Sequence, residues 1–186
     1  MILGTDLDGK RLDLPHEAVP GARRIAGLFV PWAIYRTESE LGMRTVAESA
    51  GAALLPFDAG QRGDYQGVFA SMREKGAQAL VIMAHADLYR DRAVLAKLAL
   101  DAGLPTACEW AEMAEAGCLL GYGPDRQELF RRVAHYVAQI FAGVKPGDLP
   151  IEQPTHYKFA VNLKTATALG LTIPPSVLAR ADEVIE

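Results

Sequence analysis

Cysteine is scarce in this chain: only two of its 186 residues are cysteine, Cys108 and Cys118. Two cysteines are too few for the disulfide framework of a small secreted domain or for a four-cysteine zinc site. Both lie among apolar residues in the sequence, and an unpaired cysteine is commonly buried as a small apolar side chain. The sequence therefore predicts two unpaired cysteines in the core.

Basic residues are not in excess either, since 19 Lys and Arg stand against 23 Asp and Glu. Nucleic acids and anionic membranes bind basic patches, so the formal net charge of −4 predicts neither as a partner. No apolar run approaches the ~20 residues of a membrane-spanning helix. Residues 1–8 contain two Asp and no basic residue, so no signal peptide is expected there, and the sequence as written predicts a cytoplasmic location.

The motifs of common nucleotide-binding and hydrolytic enzymes are also missing. There is no G-x-G-x-x-G after a predicted strand, no G-x-x-x-x-G-K-[ST] loop and no G-x-S-x-G turn. The four histidines are scattered, and none has a second histidine or a cysteine at the spacing of a metal site. We therefore expect neither a cofactor nor a metal ion.

Half of the residues are hydrophobic and 23% are charged, which is the composition of a folded globular domain. Five short apolar runs, typical of buried strands, alternate with longer stretches of helical periodicity. The predicted strands are residues 24–30, 52–57, 79–83, 105–109 and 118–122, and the predicted helices are residues 37–50, 64–75, 89–102, 111–116 and 125–141. This alternation predicts an α/β fold, a doubly wound parallel sheet of about five strands with helices on both faces.

Residues 1–22 precede the first predicted strand. Within them, residues 8–19 have a helical composition that Pro15 interrupts. Proline removes a backbone donor and disfavours helix at the residue before it, so a helix either starts at Pro15 or is kinked there.

Residues 144–154 contain three prolines and are expected to be extended. A strand at 157–162 and a short helix at 163–169 are predicted after them. We therefore divide the chain into an α/β ligand-binding lobe, residues 1–150, and a C-terminal strand–helix arm, residues 151–186.

In an open parallel sheet, ligands bind beyond the carboxyl ends of the strands. The aromatic, acidic and imidazole side chains that we select at those predicted ends are Trp32, His85, Asp87, Glu109, Trp110, Tyr122 and Asp125. The three rings could stack on a ligand, Asp87 and Glu109 could pair with an amine, and the helix N-termini near Asp87 and after Gly123 could hold a carboxylate. A plainer alternative stays open: Asp87 and Asp125 can each be a helix N-cap and nothing more.

Several segments of the chain resemble one known family. They are Gly9–Leu12 and Glu17–Gly21 before the first strand, Glu115–Gly117 and Gly121–Pro124 around the fifth, and Ile140–Pro150 and Glu152–Thr155 beyond the long helix. The tail carries the strongest similarity, at Val161–Ala166, Ala168–Ser176 and Arg180–Glu186. From about Leu7 to Glu186, the chain resembles the ABC transporter substrate-binding proteins of the tryptophan and tyrosine type, a two-lobed periplasmic family.

The resemblance implies a Rossmann-like lobe of the type I periplasmic-binding fold. In that family a signal peptide and a complete first lobe precede the matched region, and the ligand is clamped between two lobes. The resemblance thus implies that this chain is N-terminally incomplete, and that its full-length form is periplasmic and works with an ABC permease. The chain departs from the family at Gly121, where serine is usual, and at Phe29–Trp32, where Asn-Pro is usual.

We interpret the chain as a solute-binding lobe for a small amino-acid-like molecule or aromatic acid, and not as an enzyme. Two alternatives remain. One is a small α/β enzyme that uses His85 as acid or base together with Glu109. The other is a one-lobed protein-interaction module.

The arm also predicts an assembly. Its apolar residues follow first a strand spacing and then a helix spacing: Phe159, Val161, Leu163, Ala166 and Leu169. The resemblance implies that a first lobe covers this stretch, and an uncovered apolar strand edge pairs readily with another chain. We therefore expect a homodimer in which the C-terminal arm packs on the neighbouring subunit.

Overall fold

The computed structural model describes residues 3–60 and 64–186, and within the first ten residues it describes a side chain only at Leu7. The strands are β1 (Arg24–Phe29), β2 (Ala53–Asp58), β3 (Ala79–Ile82), β4 (Thr106–Cys108), β5 (Leu120–Pro124), β6 (Tyr157–Asn162) and β7 (Glu183–Ile185). The helices are α1 (Leu3–Ala18), α2 (Arg36–Ser49), α3 (Tyr65–Glu74), α4 (Ala86–Arg90), α5 (Arg92–Asp101), α6 (Ala111–Glu115), α7 (Arg126–Phe141), α8 (Leu163–Ala168) and α9 (Pro175–Leu178), with a 3₁₀ turn at Pro146–Asp148.

The seven strands form one sheet in the order β2-β1-β3-β4-β5-β6-β7. The first five strands are parallel to one another, as predicted, and every residue of β3 is buried. Helix α1 packs beside α2, whereas α5 packs beside both α3 and α6. Because right-handed crossovers run in opposite directions from β1 to β2 and from β2 to β3, these two sets of helices lie on opposite faces. The prediction of a doubly wound α/β sheet is confirmed.

Two helices differ from their predicted form. α1 begins at Leu3 and contains Pro15 in its last turn, so the helix starts well before the proline. The predicted helix at 89–102 is divided into α4 and α5 at Asp91, whose carboxylate accepts a hydrogen bond from the Tyr65 hydroxyl at 2.7 Å.

The C-terminal arm joins the sheet of its own chain. β6 pairs antiparallel with β5, with Tyr157 opposite Pro124 and Val161 opposite Leu120, and β7 pairs with β6. Phe159 and Val161 are buried in the main core. The expectation that the arm packs on a neighbouring subunit is therefore wrong, because β5 offers an open edge that the arm itself occupies.

The two cysteines are buried as predicted, but they are not unpaired. Cys108 and Cys118 form a disulfide, with their Cα atoms 6.7 Å apart. α6 turns the chain back between them, so that the end of β4 and the residues before β5 become neighbours. The prediction of two unpaired cysteines is wrong, because a separation of ten residues does not by itself reveal this turn.

The segment between β5 and β6 leaves the sheet and returns to nearly the same point. The Asp125 N–H donates a hydrogen bond to the His156 carbonyl at 3.0 Å. Along α7, the Tyr136 hydroxyl donates to the Pro150 carbonyl at 3.0 Å, and Arg132 forms an ion pair with Glu152. The connector thus folds back along α7.

The other side of α7 is apolar and uncovered. No residue of this helix is buried, and Phe130 is 65% exposed. Val133, Val137 and Ile140 follow Phe130 at spacings of three and four residues, which places all four on one stripe. Within residues 3–60 and 64–186, no helix combines the length and the apolarity needed to cross a bilayer.

Candidate functional site

A cavity of about 450 Å³ lies at the carboxyl ends of β1 and β3. These two strands are the point where the sheet order reverses, since β2 lies to one side of β1 and β3 to the other. Open α/β sheets bind ligands at such a topological switch point. We call this the switch-point cavity; its lining residues are Phe29, Val30, Trp32, Ala33, Ile34, Tyr35, Arg36, Ser39, Met83, Ala84 and His85.

The loop after β1 supplies the apolar wall of the switch-point cavity. The loop is tightened by two backbone hydrogen bonds of 3.0 Å, from Ala33 N–H to Val30 and from Arg36 N–H to Ala33. Between them, Trp32, Ile34 and Tyr35 remain largely exposed. Large apolar side chains clustered on a loop beside a cavity are typical of a binding surface.

Arg36 lies where this loop enters α2. Its guanidinium lies over the Phe29 ring, 4.1 Å from the ring centre. The same guanidinium donates to the Asp58 carboxylate at 2.9 Å and is bonded to Glu40. The hydrogen bond from Arg36 is the main cause that lowers the pKa of Glu40. Two carboxylates therefore balance the positive charge of Arg36.

His85 forms the opposite wall of the cavity and caps α4. Its Nδ1 accepts a hydrogen bond from the Asp87 N–H at 3.1 Å and lies 3.5 Å from the Asp87 carboxylate. The backbone donor that we expected to hold a ligand carboxylate near Asp87 is therefore already bonded to His85. Because Nδ1 accepts, the neutral ring carries its proton on Nε2, which is then a donor.

Asp87 lies beside the switch-point cavity and not in its wall. It lines a narrow adjoining cavity that it shares with Val30 and Trp32. Its carboxylate accepts a hydrogen bond from Arg90 at 2.6 Å. Trp32 and Val30 thus border both cavities, whereas Asp87 lines only the narrow one.

Trp110 and Glu109 pack within the fold. Trp110 makes an edge-on contact with Tyr89, with ring centres 5.0 Å apart, and Arg126 lies over both rings. Glu109 lies 4.0 Å from the guanidinium of Arg11.

Asp125 is the N-cap of α7, as the plainer alternative held, because its side chain accepts hydrogen bonds from the Gln127 and Glu128 N–H groups. This cap uses the donors that we expected to hold a carboxylate after Gly123. Burial works to raise the pKa of Asp125, but these hydrogen bonds and Lys158 outweigh it and lower the pKa.

Tyr122 lines a second cavity, on the α1 face of the sheet, together with Asp13, Leu14, Glu17, Tyr157, Phe159, Arg180 and Asp182. Trp32 and Tyr122, both selected from the sequence, therefore line different cavities, and Glu109 lines neither of these two. Trp32 and His85 share the switch-point cavity because β1 and β3 are neighbours, whereas β5 lies two strands beyond β3.

Two glycines of β5 explain its close approach to the segment after β4. A Cβ atom at Gly121 would collide with the Trp110 carbonyl, and one at Gly123 would collide with the Glu109 carbonyl. Sequence reasoning noted Gly121 only as a departure from the family. It also missed Arg36 and Ser39, which lie in the first turn of α2, and Met83, which directly follows β3.

A family model described as ABC transporter substrate binding protein matches residues 6–185. The chain belongs to this family. No curated protein sequence matches the chain.

Solved structures of similar fold accompany this match. The chain is similar to a conserved domain protein from Vibrio cholerae, with a TM-score of 0.86 and 23% identity over 95% of this chain and 60% of that one. It is also similar to an ABC domain from Streptococcus pneumonia solved in complex with L-Trp, with a TM-score of 0.85 and 22% identity over 96% of this chain and 60% of that one. The chain is similar as well to a ligand-free, open substrate-binding protein with adhesive properties from Clostridium difficile. The TM-score is 0.69 and the identity is 17%, over 95% of this chain and 59% of that one. The chain thus spans about 60% of the length of these structures.

Proposed function

We propose that this member of the substrate-binding family is the solute-binding lobe of an ABC-type importer, and that it binds an amino-acid-like molecule or an aromatic acid in the switch-point cavity. The observation that carries the proposal is this cavity of about 450 Å³ at the topological switch point, with Phe29, Trp32 and Tyr35 in its wall. Its volume is in the range of small-molecule sites, which extends from about 300 to 1,000 Å³.

The lining favours a ligand with an apolar or aromatic body and one anionic group. The apolar body of the ligand would stack on Trp32 and Tyr35, two exposed aromatic residues that line the cavity. Ser39 and the Nε2–H of His85 supply donors for a carboxylate. The Asp87 carboxylate beside Trp32 would meet the amine of an amino acid, in competition with Arg90.

We do not extend this ligand site to Glu109, Trp110 and Asp125, because their contacts lie within the fold, or to Tyr122, because it lines the second cavity. For a full-length form of the protein we propose an ABC permease as partner and a periplasmic location, on the strength of the family alone.

A catalytic role for His85 with Glu109 has weaker support. His85 is bonded to Asp87, whereas Glu109 lies against Arg11. We therefore propose a binding role and no enzymatic one.

A thermal-shift screen of amino acids and aromatic carboxylic acids tests this proposal, because a ligand that binds the folded state raises the melting temperature by mass action. We expect aromatic acids to raise it and Trp32→Ala to abolish the rise. Phe130→Ala is the matched control, since it removes a similarly exposed aromatic ring from α7, which contributes no residue to the lining of this cavity. An equal loss of the rise in both variants would refute the assignment of the cavity.

Titration calorimetry of the best ligand then measures its affinity. The switch-point cavity is partly open to solvent, and an open cavity buries less of a ligand than an enclosed cleft. We expect weak binding to the 186-residue chain. A sub-micromolar dissociation constant for an amino acid would contradict this expectation.

A further inference from the structure

The second cavity, which Tyr122 lines, has a volume of about 460 Å³ and shares no lining residue with the switch-point cavity. It lies between α1 and the β5–β6 pair, near the loop that leads into β7. The two cavities can therefore be tested independently. We call this one the tyrosine cavity.

Three aromatic rings form one wall of the tyrosine cavity. Tyr122 stacks on Tyr157, with ring centres 6.0 Å apart and planes 18° from parallel, and it meets Phe159 nearly edge-on, with ring centres 6.3 Å apart. The antiparallel register explains the cluster, because it places Phe159 opposite Tyr122, and alternation along β6 puts Tyr157 on the same face as Phe159. The faces of such rings carry negative electrostatic potential.

The lining of the tyrosine cavity also contains three carboxylates. Asp13 and Glu17 lie one turn apart on α1, whereas Asp182 lies beside the aromatic wall, where its carboxylate accepts a hydrogen bond from the Phe159 N–H at 2.8 Å. The one cation in the lining, Arg180, forms an ion pair with Glu17. Three carboxylates thus face one guanidinium, and the described lining carries a net negative charge.

Asp13 and Glu17 interact unfavourably within this lining. The pKa of Asp13 is raised, mainly by burial and next by the neighbouring charge of Glu17, against an opposing effect of His16. A cation bound near Asp13 would remove the unfavourable interaction between the two carboxylates.

We propose that the tyrosine cavity binds a small organic cation with a methylated ammonium group. An ammonium packed against aromatic faces is attracted by the ring quadrupole, and quaternary ammonium groups are the usual occupants of such cages. Anions would be repelled by the carboxylates. Among the described residues, no group of three or more histidines, cysteines or carboxylates is placed to hold a metal ion, so an organic cation fits better than a bare metal ion.

The test uses choline as the probe and 3,3-dimethylbutan-1-ol as its uncharged isostere. Calorimetric titration of the 186-residue chain is expected to show choline binding, with the isostere at least about tenfold weaker because it lacks the charge. Proton NMR is expected to show an upfield shift of the choline methyl signal, because ring currents shield protons held over aromatic faces. Equal binding of the two probes, or binding of neither, would overturn the proposal.

Variants then localise the binding. Tyr157→Ala and Asp13→Asn are each expected to weaken choline binding by about tenfold, whereas Tyr157→Phe retains it, because the ring and not the hydroxyl forms the wall. The matched controls are Tyr136→Ala and Asp101→Asn, which make the same chemical changes outside the cavity and should leave binding intact. Unfolding curves establish that each variant is folded. Undiminished binding in folded Asp13→Asn and Tyr157→Ala would refute the site.

Discussion

The guanidinium of Arg36 lies 4.1 Å from the centre of the Phe29 ring, where it joins the end of β1 to the start of α2. The same group is bonded to Asp58 at the end of β2 and to Glu40 on α2. One side chain therefore ties together two strand ends and a helix at the edge of the switch-point cavity. A charged side chain stacked on a ring contributes through the ring quadrupole in addition to its ion pairs.

Arg36→Met is expected to lower the free energy of unfolding by about 1–2 kcal/mol, from the lost cation–π contact and the lost bonds to two carboxylates. The matched control is Arg44→Met on the same helix, since Arg44 also pairs with Glu40 but is more exposed. That control should cost less than about 0.5 kcal/mol. Urea unfolding of both variants provides the measurement, and equal losses would contradict the structural role assigned to Arg36.

The Tyr65 hydroxyl, bonded to Asp91, predicts a dependence of stability on alkaline pH. Burial, and next the hydrogen bond to Asp91, raise the pKa of Tyr65 to about 12, from its usual value of 10.0. Between these two pH values the unfolded chain releases the proton while the folded chain retains it, so the contribution of Tyr65 to stability is present below pH 10 and is lost as the pH rises towards 12.

Denaturant unfolding of the wild type and of Tyr65→Phe between pH 8 and pH 12 measures this effect. Below pH 10, Tyr65→Phe should be less stable by about 1 kcal/mol, because it removes one hydrogen bond. The difference between the two proteins should shrink as the pH rises through the window. A difference that stays constant up to pH 12 would show that the Tyr65 pKa is not raised.

The disulfide between Cys108 and Cys118 predicts a redox dependence of stability. Closing a loop of about ten residues stabilises a fold by about 2–3 kcal/mol in the chain-entropy model. We expect the wild type to unfold at a lower denaturant concentration in the presence of a reductant than in its absence. The double variant Cys108→Ala, Cys118→Ala should resemble the reduced protein and show no response to reductant. Identical midpoints with and without reductant in the wild type would mean that the bond does not form.

Polar substitutions in the apolar stripe on α7 should reduce the exposed apolar surface without lowering the stability of the fold. Replacing Phe130 and Val137 by Glu changes side chains that are mostly exposed, so the free energy of unfolding should change by less than about 1 kcal/mol. Fluorescence of a dye that binds exposed apolar surface should decrease at the same time. Leu95→Glu, at a buried position of α5, is the contrasting variant and should prevent stable folding.

The parallel core was predictable because its strands are short apolar runs buried on both faces, of which Leu80–Ile82 is the clearest. β7 was missed because three residues, Glu183–Ile185, carry too little pattern to indicate a strand. The place of the arm was also misjudged. Whether an apolar strand is bare or covered depends on the free edge of β5, which is a property of the assembled sheet and is not present in the local sequence.

The candidate site was predicted in part for a related reason. Sequence places residues at the ends of strands, but only the strand order decides which ends are neighbours. Trp32 and His85 follow adjacent strands and line one cavity. Tyr122 belongs to a strand farther along the sheet and lines another. We also expected an uncovered apolar surface on the arm, whereas the structure has one on α7. The spacing of Phe130, Val133, Val137 and Ile140 in the sequence indicates this stripe.

The excursion between β5 and β6 has a mechanical consequence. Its two ends meet at one rung of the sheet, where Pro124 lies opposite Tyr157 and Asp125 is bonded to His156. Residues 127–155 form an appendage that leaves and rejoins the sheet at this rung, and the contacts of Tyr136 and Arg132 with the returning chain brace it internally. Arg126 anchors the start of the helix on the rings of Tyr89 and Trp110. Any rotation of the appendage about this rung would have to break the contacts of Arg126, because these contacts hold the start of α7 against the body of the fold. Protein engineers could replace this appendage by a tight turn, because β5 and β6 already hold its two ends together.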